Sequence, residues 1–530
     1  MSGPSRIVPL GRKALELGLR QVGMAPEEVH ARRLVRRSAV PAPTSGPTVL
    51  ICSPRDWSAH VQWDSLIAHA LVRRGASVEM ATCGGGLPTC DRVNVYEGPP
   101  PPCRTCSRYT TVALQAHGFP PHLLASTWAD GVPAWPELDA LPLGELLELE
   151  DQGLPLGRMV GNVARWFLCN ADLGSDPLGP TTVRTFLRAA RAVRQAAVDL
   201  LDRTNPDVLM VVNGLFFFEF LLCAEAARRG VRVVSYERGF IQGTLFFAHG
   251  PGASRYEVGD AWPSHRERPL SPDQEERLNQ YLADRRQGLH SHVSLWPTAT
   301  TTADAPASGR RRFVAFTNVT WDSAVLDRDV TFPGIGDWLK AIIGQIGGRS
   351  DLELVLRIHP AEVRIRGWET RQPAKQMLDR IGALPPNISV IAPDDPTSSY
   401  SLMESCDAAL VYTSTTGLEL ALLGKPVMVA GDTHYRGKGF TIDPEDPDAY
   451  AAAVEDVIAD PSLHRPDIDL ARRYANLFFF EAPVGQPPST EPVPGLVRLD
   501  LTSLDELGPG RHPGLDRICA GILTGAPFFS

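Results

Sequence analysis

Apolar strand-like runs and amphipathic helical stretches alternate along this chain in two series, and the break between them limits what it can fold into. The first series begins with PTVLICS at Pro47, followed by the helical RDWSAHVQWDSLIAHALVRRG and the strand-like ASVEMATC. A Pro-rich insertion to about Pro180 interrupts it. It resumes with a helix near Val183 to Arg203, then PDVLMVVN, LFFFEFLLCAEAARRG and VRVVSYE. Such continuous apolar runs suit strands buried on both faces of a parallel sheet. The stretch SLWPTATTTADAPASGR (294–310) reads as a linker. Beyond it come RRFVAFTN, a helix near Ile335 to Ile346, DLELVLRIHP, a helix near Ala374 to Ile381, NISVIAP, DAALVYT, TGLELALLG and KPVMVAG. The pattern predicts an α/β protein with two Rossmann-like doubly wound domains facing across a cleft. The expected divisions are an N-terminal extension (1–46), a Rossmann-like domain with an insertion (47–293), the linker (294–310), a second Rossmann-like domain (311–482) and a tail (483–530) with a short docking helix at 515–523.

With 530 residues the chain exceeds one ordinary core, and 43% hydrophobic residues suffice for two. A formal charge of -9 argues against nucleic acid as the main partner. The N-terminal segment has no uninterrupted apolar core of signal-peptide length, which predicts a cytoplasmic protein, with peripheral association at the inner face of a membrane left open. The most membrane-like segment, 208–227, is broken by Asn213, Glu219 and Glu225 and reads as a strand followed by a buried helix. Nine cysteines do not make a disulfide scaffold. Four of them, Cys83, Cys90, Cys103 and Cys106, crowd together as a candidate structural zinc site; the alternative is small buried cysteines in a Pro-rich loop.

The polar residues gather where strands of the second series end. TSTTGLELALLGKPV (413–427) places Ser414, Thr415, Thr416 and Gly417 between a strand and a helix, a setting that attracts anions. Thr416 and Glu419 also have the spacing of a capping box, and the two readings are compatible. Arg357, His359 and Pro360 end DLELVLRIHP, with Arg357 and His359 expected on one face. The loop GDTHYRGKGFT brings His434, Arg436 and Lys438, and TNVTWDSA brings Asn318, Thr320 and Asp322. In the first series Glu237 ends VRVVSYE, where a carboxylate can take a proton from an acceptor hydroxyl, while Asn213 and His60 are candidates for the acceptor side.

Together, His359-Pro360, the block Ser414 to Glu419, Gly424-Lys425-Pro426 and the run Tyr435 to Phe440 resemble the C-terminal half of bacterial capsule polysaccharide biosynthesis proteins, glycosyltransferases of the GT-B fold, over roughly Arg312 to Tyr450. The resemblance implies a nucleotide-sugar donor, CMP-linked as in the related sialyl- and Kdo transferases, with UDP or GDP as alternatives. It also implies a glycan or lipid-linked acceptor. His359, Ser414 and Thr415 would hold the donor, Tyr435 would belong to the same site, and Glu237 would be the base. Arg238 stands where the sialyltransferases have a second acidic residue. No Asp-x-Asp lies at a credible strand end, which points to transfer without a required metal cofactor. Three alternatives share the fold: a nucleotide-sugar 2-epimerase, a polyol-phosphate transferase and a non-catalytic binding subunit.

Overall fold

The computed structural model describes residues 18–20, 22–38, 45–98, 100–287, 289, 302–303, 309–493 and 495–529. The predicted linker therefore lies largely outside the described residues, as does most of the N-terminal extension. The first domain is built on β1 (Thr48–Cys52), β2 (Ser77–Thr82), β3 (His122–Leu123), β4 (Val208–Val212), β5 (Arg232–Arg238) and β6 (Thr244–His249). The second is built on β7 (Arg311–Phe316), β8 (Leu352–Arg357), β9 (Ile388–Ile391), β10 (Ala408–Val411) and β11 (Val427–Val429). Two late additions follow: β12 (Val484–Gly485), and the hairpin of β13 (Ser489–Val493) and β14 (Leu496–Leu499).

The sheets run β12-β6-β5-β4-β1-β2-β3 and β11-β10-β7-β8-β9. All pairs in the second sheet are parallel. In the first, only β5–β6 and β6–β12 are antiparallel. Each sheet is wound outward in both directions from a central strand, β1 or β7, so the loops leaving β1 and β4, and those leaving β7 and β10, part company and open a crevice. This is the doubly wound GT-B layout, and it follows from strands such as β4, buried at all five positions, that only a sheet covered on both faces accommodates.

Three expected boundaries differ from the packing. The helix Pro26–Arg37 and the helix Pro513–Thr524 both contribute to the first domain's core, through Ala31 and Leu34 and through Leu515, Ile518 and Ile522. The segment read as a tail is thus an integral layer, and β12 extends the first sheet. The helix Pro272–Arg286, assigned from sequence to the first domain, places Leu278 and Tyr281 in the second domain's core beside Val314 and Val411. Local patterning shows that a helix has an apolar stripe but not which sheet covers it.

At the first crevice a buried ion cluster holds the walls. Arg55, in the loop after β1, binds Asp91 at 2.9 Å and Glu219, and all three side chains are at most 2% exposed. Burial, which disfavours charge, is outweighed by the two carboxylates, so the guanidinium stays charged. Asp91, in the segment after β2, also accepts the Phe217 N–H at 2.8 Å and so links Arg55 after β1 to the start of the helix after β4. The turn after β4 needs left-handed backbone at Asn213 (φ 30°) and Gly214 (φ 81°), and a Cβ at Gly214 would lie 2.5 Å from the Pro251 carbonyl oxygen. Glu219→Ala should destabilise the protein by about 3 kcal/mol, because it leaves a buried guanidinium with one partner. Denaturant unfolding checks this, and a change within about 0.5 kcal/mol would show that the cluster does not hold the crevice.

Candidate functional site

The crevice of the second sheet is floored by the loops after β7 and β10. Asn318 Oδ1 accepts the Thr413 N–H at 3.2 Å and ties them together. The Thr413 hydroxyl beside this bond is buried without a partner among the described residues. Ser414 is 9% exposed, and Thr415 and Thr416 are half-buried above it. Tyr435 supports the loop from beneath: its hydroxyl donates to the Ser414 carbonyl at 2.5 Å, and a Cβ on Gly417 would fall 2.2 Å from the Tyr435 oxygen. Only glycine fits there.

The expected capping box is not formed. The helix Thr416–Leu422 starts at Thr416 itself, and the Ser414 hydroxyl accepts the Thr416 N–H at 3.3 Å while donating to Thr416 Oγ1 at 2.9 Å. Glu419 turns away to Arg285 (2.5 Å) and Tyr400 (2.6 Å), which binds this helix to the helix Pro272–Arg286. An i, i+3 spacing gives the reach for a capping box, but a guanidinium outcompetes a backbone N–H for a carboxylate.

His359 follows β8 with its backbone N–H on Thr317 Oγ1 (3.0 Å), and its Nδ1 accepts the Ala361 N–H at 3.1 Å. Nε2 therefore carries the ring proton. Burial lowers its pKa to about 4, despite the nearby Asp322 carboxylate, so at neutral pH it is an uncharged donor. Pro360, buried behind it, turns the chain. Arg357 takes a different course from His359. Its guanidinium is buried and donates to the Ala392 carbonyl (2.5 Å) and to Ser399 Oγ (3.4 Å), bracing the end of β9. Arg436 likewise donates to the carbonyls of Val429 and Pro444, so its charge anchors its own loop, while Lys438 stands half-buried in the same loop.

Across the cleft, β5 ends in a half-buried Glu237. Its Oε2 accepts from Asn213 Nδ2 (3.0 Å) and its Oε1 from the Arg238 N–H (2.8 Å). Burial pushes its pKa up against those two hydrogen bonds, and the Asp322 carboxylate of the other domain adds to the rise. The charge of Asp322 bears on both Glu237 and His359. His60 lies in the first turn of the helix Ser58–Val72, between Trp57, Trp63 and Tyr236.

Sequence reasoning missed what holds the rims together. Asp327, in left-handed backbone (φ 56°), binds Arg158 and Asn162 of the first domain. Arg255 pairs with Asp432 at 2.7 Å, and Arg328 donates to the Ser254 carbonyl at 2.9 Å. Trp166 of the first domain packs on Trp368 of the second at 4.4 Å. A cavity of about 840 Å³ opens on this seam, lined by Asn162 and Arg165 from one side and Asp329, Gly334 and Lys340 from the other; of the residues singled out in sequence, only Thr320 reaches it. Arg158, Asn162, Arg165 and Trp166 lie on the helix Leu156–Leu168 and Lys340 on the helix Ile335–Ile346, while Arg255, Asp327, Arg328, Trp368 and Asp432 lie in short or irregular segments; no short motif marks either set.

The four crowded cysteines line a single small pocket, but among the described residues no group of three or more His, Cys, Asp or Glu is arranged to hold a metal ion. Burial pushes the Cys83 and Cys106 thiols up to about 12, so they stay protonated and pack as small apolar side chains. Among the described residues no helix is long and apolar enough to cross a membrane.

Residues 273–464 match the family model for capsule polysaccharide biosynthesis protein. The match starts at the helix Pro272–Arg286, where packing places the start of the second domain. No curated protein matches the chain in sequence. Among solved structures, the chain is similar to the Thermosulfurimonas dismutans KpsC beta Kdo 2,7 transferase, at 16% identity over 59% of this chain and 88% of that one, with a TM-score of 0.34. The beta Kdo 2,4 transferase of the same KpsC is similar at 15% identity, 53% and 81% coverage and a TM-score of 0.32. A UDP-GlcNAc 2-epimerase from Neisseria meningitidis is similar at 11% identity, 81% and 97% coverage and a TM-score of 0.24.

The depressed pKa of His359 carries a pH dependence. Protonating it favours the unfolded chain, so the native protein loses stability as the pH falls from 6.5 towards about 4. His359→Gln should lose less than wild type between about pH 7 and about pH 4.5 in denaturant midpoints. Equal losses would mean that the imidazole is not desolvated as described.

Proposed function

We propose that the protein is a glycosyltransferase of surface polysaccharide synthesis, moving a sugar from a nucleotide-activated donor to a glycan or related hydroxyl acceptor. The observation that carries this is the pairing of strand-end groups across one closed seam: Glu237 at the end of β5 in one domain, His359 and Thr415 after β8 and β10 in the other, with Arg255–Asp432 and Arg328–Ser254 contacts holding the domains together. The second crevice supplies uncharged donors, His359 Nε2–H and the hydroxyls of Thr415 and Thr416, the latter oriented by the bond it accepts from Ser414, with Lys438 as a nearby cation. These suit a phosphate that gains charge as it leaves. CMP is the favoured nucleotide, through the resemblance noted above.

In the transfer, the acceptor oxygen bonds to the anomeric carbon as the bond from that carbon to the phosphate oxygen breaks. The acceptor's proton passes to Glu237, whose raised pKa makes it a better base than an exposed carboxylate. Asn213 and the Arg238 N–H fix the orientation of that carboxylate. The aromatic and ionic seam keeps the rims closed against water, which limits hydrolysis of the donor. An epimerase of this fold would change the donor sugar with no acceptor present, and product analysis separates the two.

Thermal unfolding with CMP, CDP, UDP and GDP tests the donor site. A ligand bound only by the folded state raises its stability, by about 2.7 kcal/mol at a hundred times Kd. CMP should give the largest shift, and no shift with any of the four would contradict the reading. His359→Ala should slow transfer by roughly 10²-fold or more. Wild-type turnover would remove His359 from the mechanism.

A further inference from the structure

Beneath the acceptor side of the cleft runs a chain of hydrogen bonds that the mechanism above does not use. Ser53 Oγ donates to Asp64 Oδ2 at 2.5 Å, and the Tyr236 hydroxyl donates to Asp64 Oδ1 at 2.7 Å. Burial raises the Asp64 pKa to about 7 against the two hydrogen bonds from Ser53 and Tyr236; in the ionised form it accepts both, the one Tyr236 proton is committed to it, and toward His60 the tyrosine oxygen accepts. His60 Nδ1 lies 3.2 Å from it and is therefore the donor. A neutral imidazole that donates from Nδ1 has a lone pair on Nε2. Asp64, Ser53 and Tyr236 are buried, whereas His60 is half-buried at the crevice.

The surroundings keep the ring uncharged. Trp57, Trp63 and Tyr236 enclose it at 5.9, 5.1 and 5.6 Å between ring centres. Burial, followed by the charges of Arg238 and Arg55, disfavours the imidazolium. A base is thus the wrong role for this histidine. A polar group whose tautomer and charge are both fixed is instead a permanent hydrogen-bond acceptor, and the partner it lacks is an O–H or N–H of whatever occupies the crevice.

We propose that His60 Nε2 accepts a hydrogen bond from a hydroxyl of the acceptor saccharide, and that Ser53, Asp64 and Tyr236 hold it in that polarity. This rests on the glycosyltransferase reading and assigns His60 a specificity role beside Glu237: the acceptor must present a second hydroxyl. Removing a buried polar group's partner discriminates more strongly than removing apolar contact.

Long-range proton–nitrogen correlation spectra of the full chain, labelled with nitrogen-15 in histidine and assigned with His60→Gln, test the polarity without any substrate. A protonated Nδ1 and bare Nε2 at neutral pH, with the preference lost in Tyr236→Phe, is the expected result. A protonated Nε2, or an imidazolium, overturns the proposal. In transfer assays with a methyl glycoside as acceptor probe, His60→Phe should raise the acceptor KM about tenfold with kcat and donor KM unchanged, and His60→Gln should restore it. Equal effects of Phe and Gln would reduce His60 to packing. If no nucleotide shifts the thermal midpoint, the glycosyltransferase reading fails on its own terms, while the spectra still decide the polarity of His60.

Discussion

In a parallel sheet wound outward from its middle strand, two adjacent loops must leave in opposite directions, and the backbone can fill the space between them only in part. This chain meets that constraint twice, after β1 and β4 and after β7 and β10. The two openings carry different chemistry because different residue types fall at the strand ends. The first is walled by an ion cluster, aromatic rings and a carboxylate, and the second by hydroxyls, backbone and a neutral imidazole. A two-substrate reaction needs such a pair, one side for a hydroxyl that must lose a proton and the other for a phosphate that must gain charge.

The placement of charge follows the same division. Arginines that looked available in sequence are committed elsewhere, Arg357 to the end of β9 and Arg436 to carbonyls of its own loop, and Arg55 is likewise committed to a buried pair of carboxylates. In these places the guanidinium's fixed fork of donors ties irregular backbone that has no sheet or helix partner. What is left facing the cleft is mostly neutral. Uncharged donors held rigidly at a desolvated site stabilise developing charge without first having to release a counter-charge.

The alternation of strands and helices, the two-domain layout and the cluster of polar strand ends were legible in the sequence, because the period and the buried apolar runs are local properties. Asn213 and Glu237 were read separately and meet in one hydrogen bond. Less was legible wherever a side chain chose between partners far apart in sequence. Glu419 had capping-box spacing yet pairs with Arg285, 134 positions away. The helix Pro272–Arg286 was given to the wrong domain for the same reason. The seam residues Trp166, Trp368 and Asp327 and the Asp64–Tyr236–His60 chain are set by tertiary packing alone, and no short motif encodes them.

The proposed reaction requires the sugar of a donor held in the second crevice to reach Glu237 on the rim of the first. Hydrogen exchange of the full chain with and without saturating CMP-sugar measures this directly. Exchange should slow on both rims at once, at 317–323, 358–361 and 412–417 in the second domain and at 213–216 and 237–240 in the first. Protection confined to one domain, or centred on the cavity lined by Arg165 and Lys340 with these five segments unchanged, would contradict it.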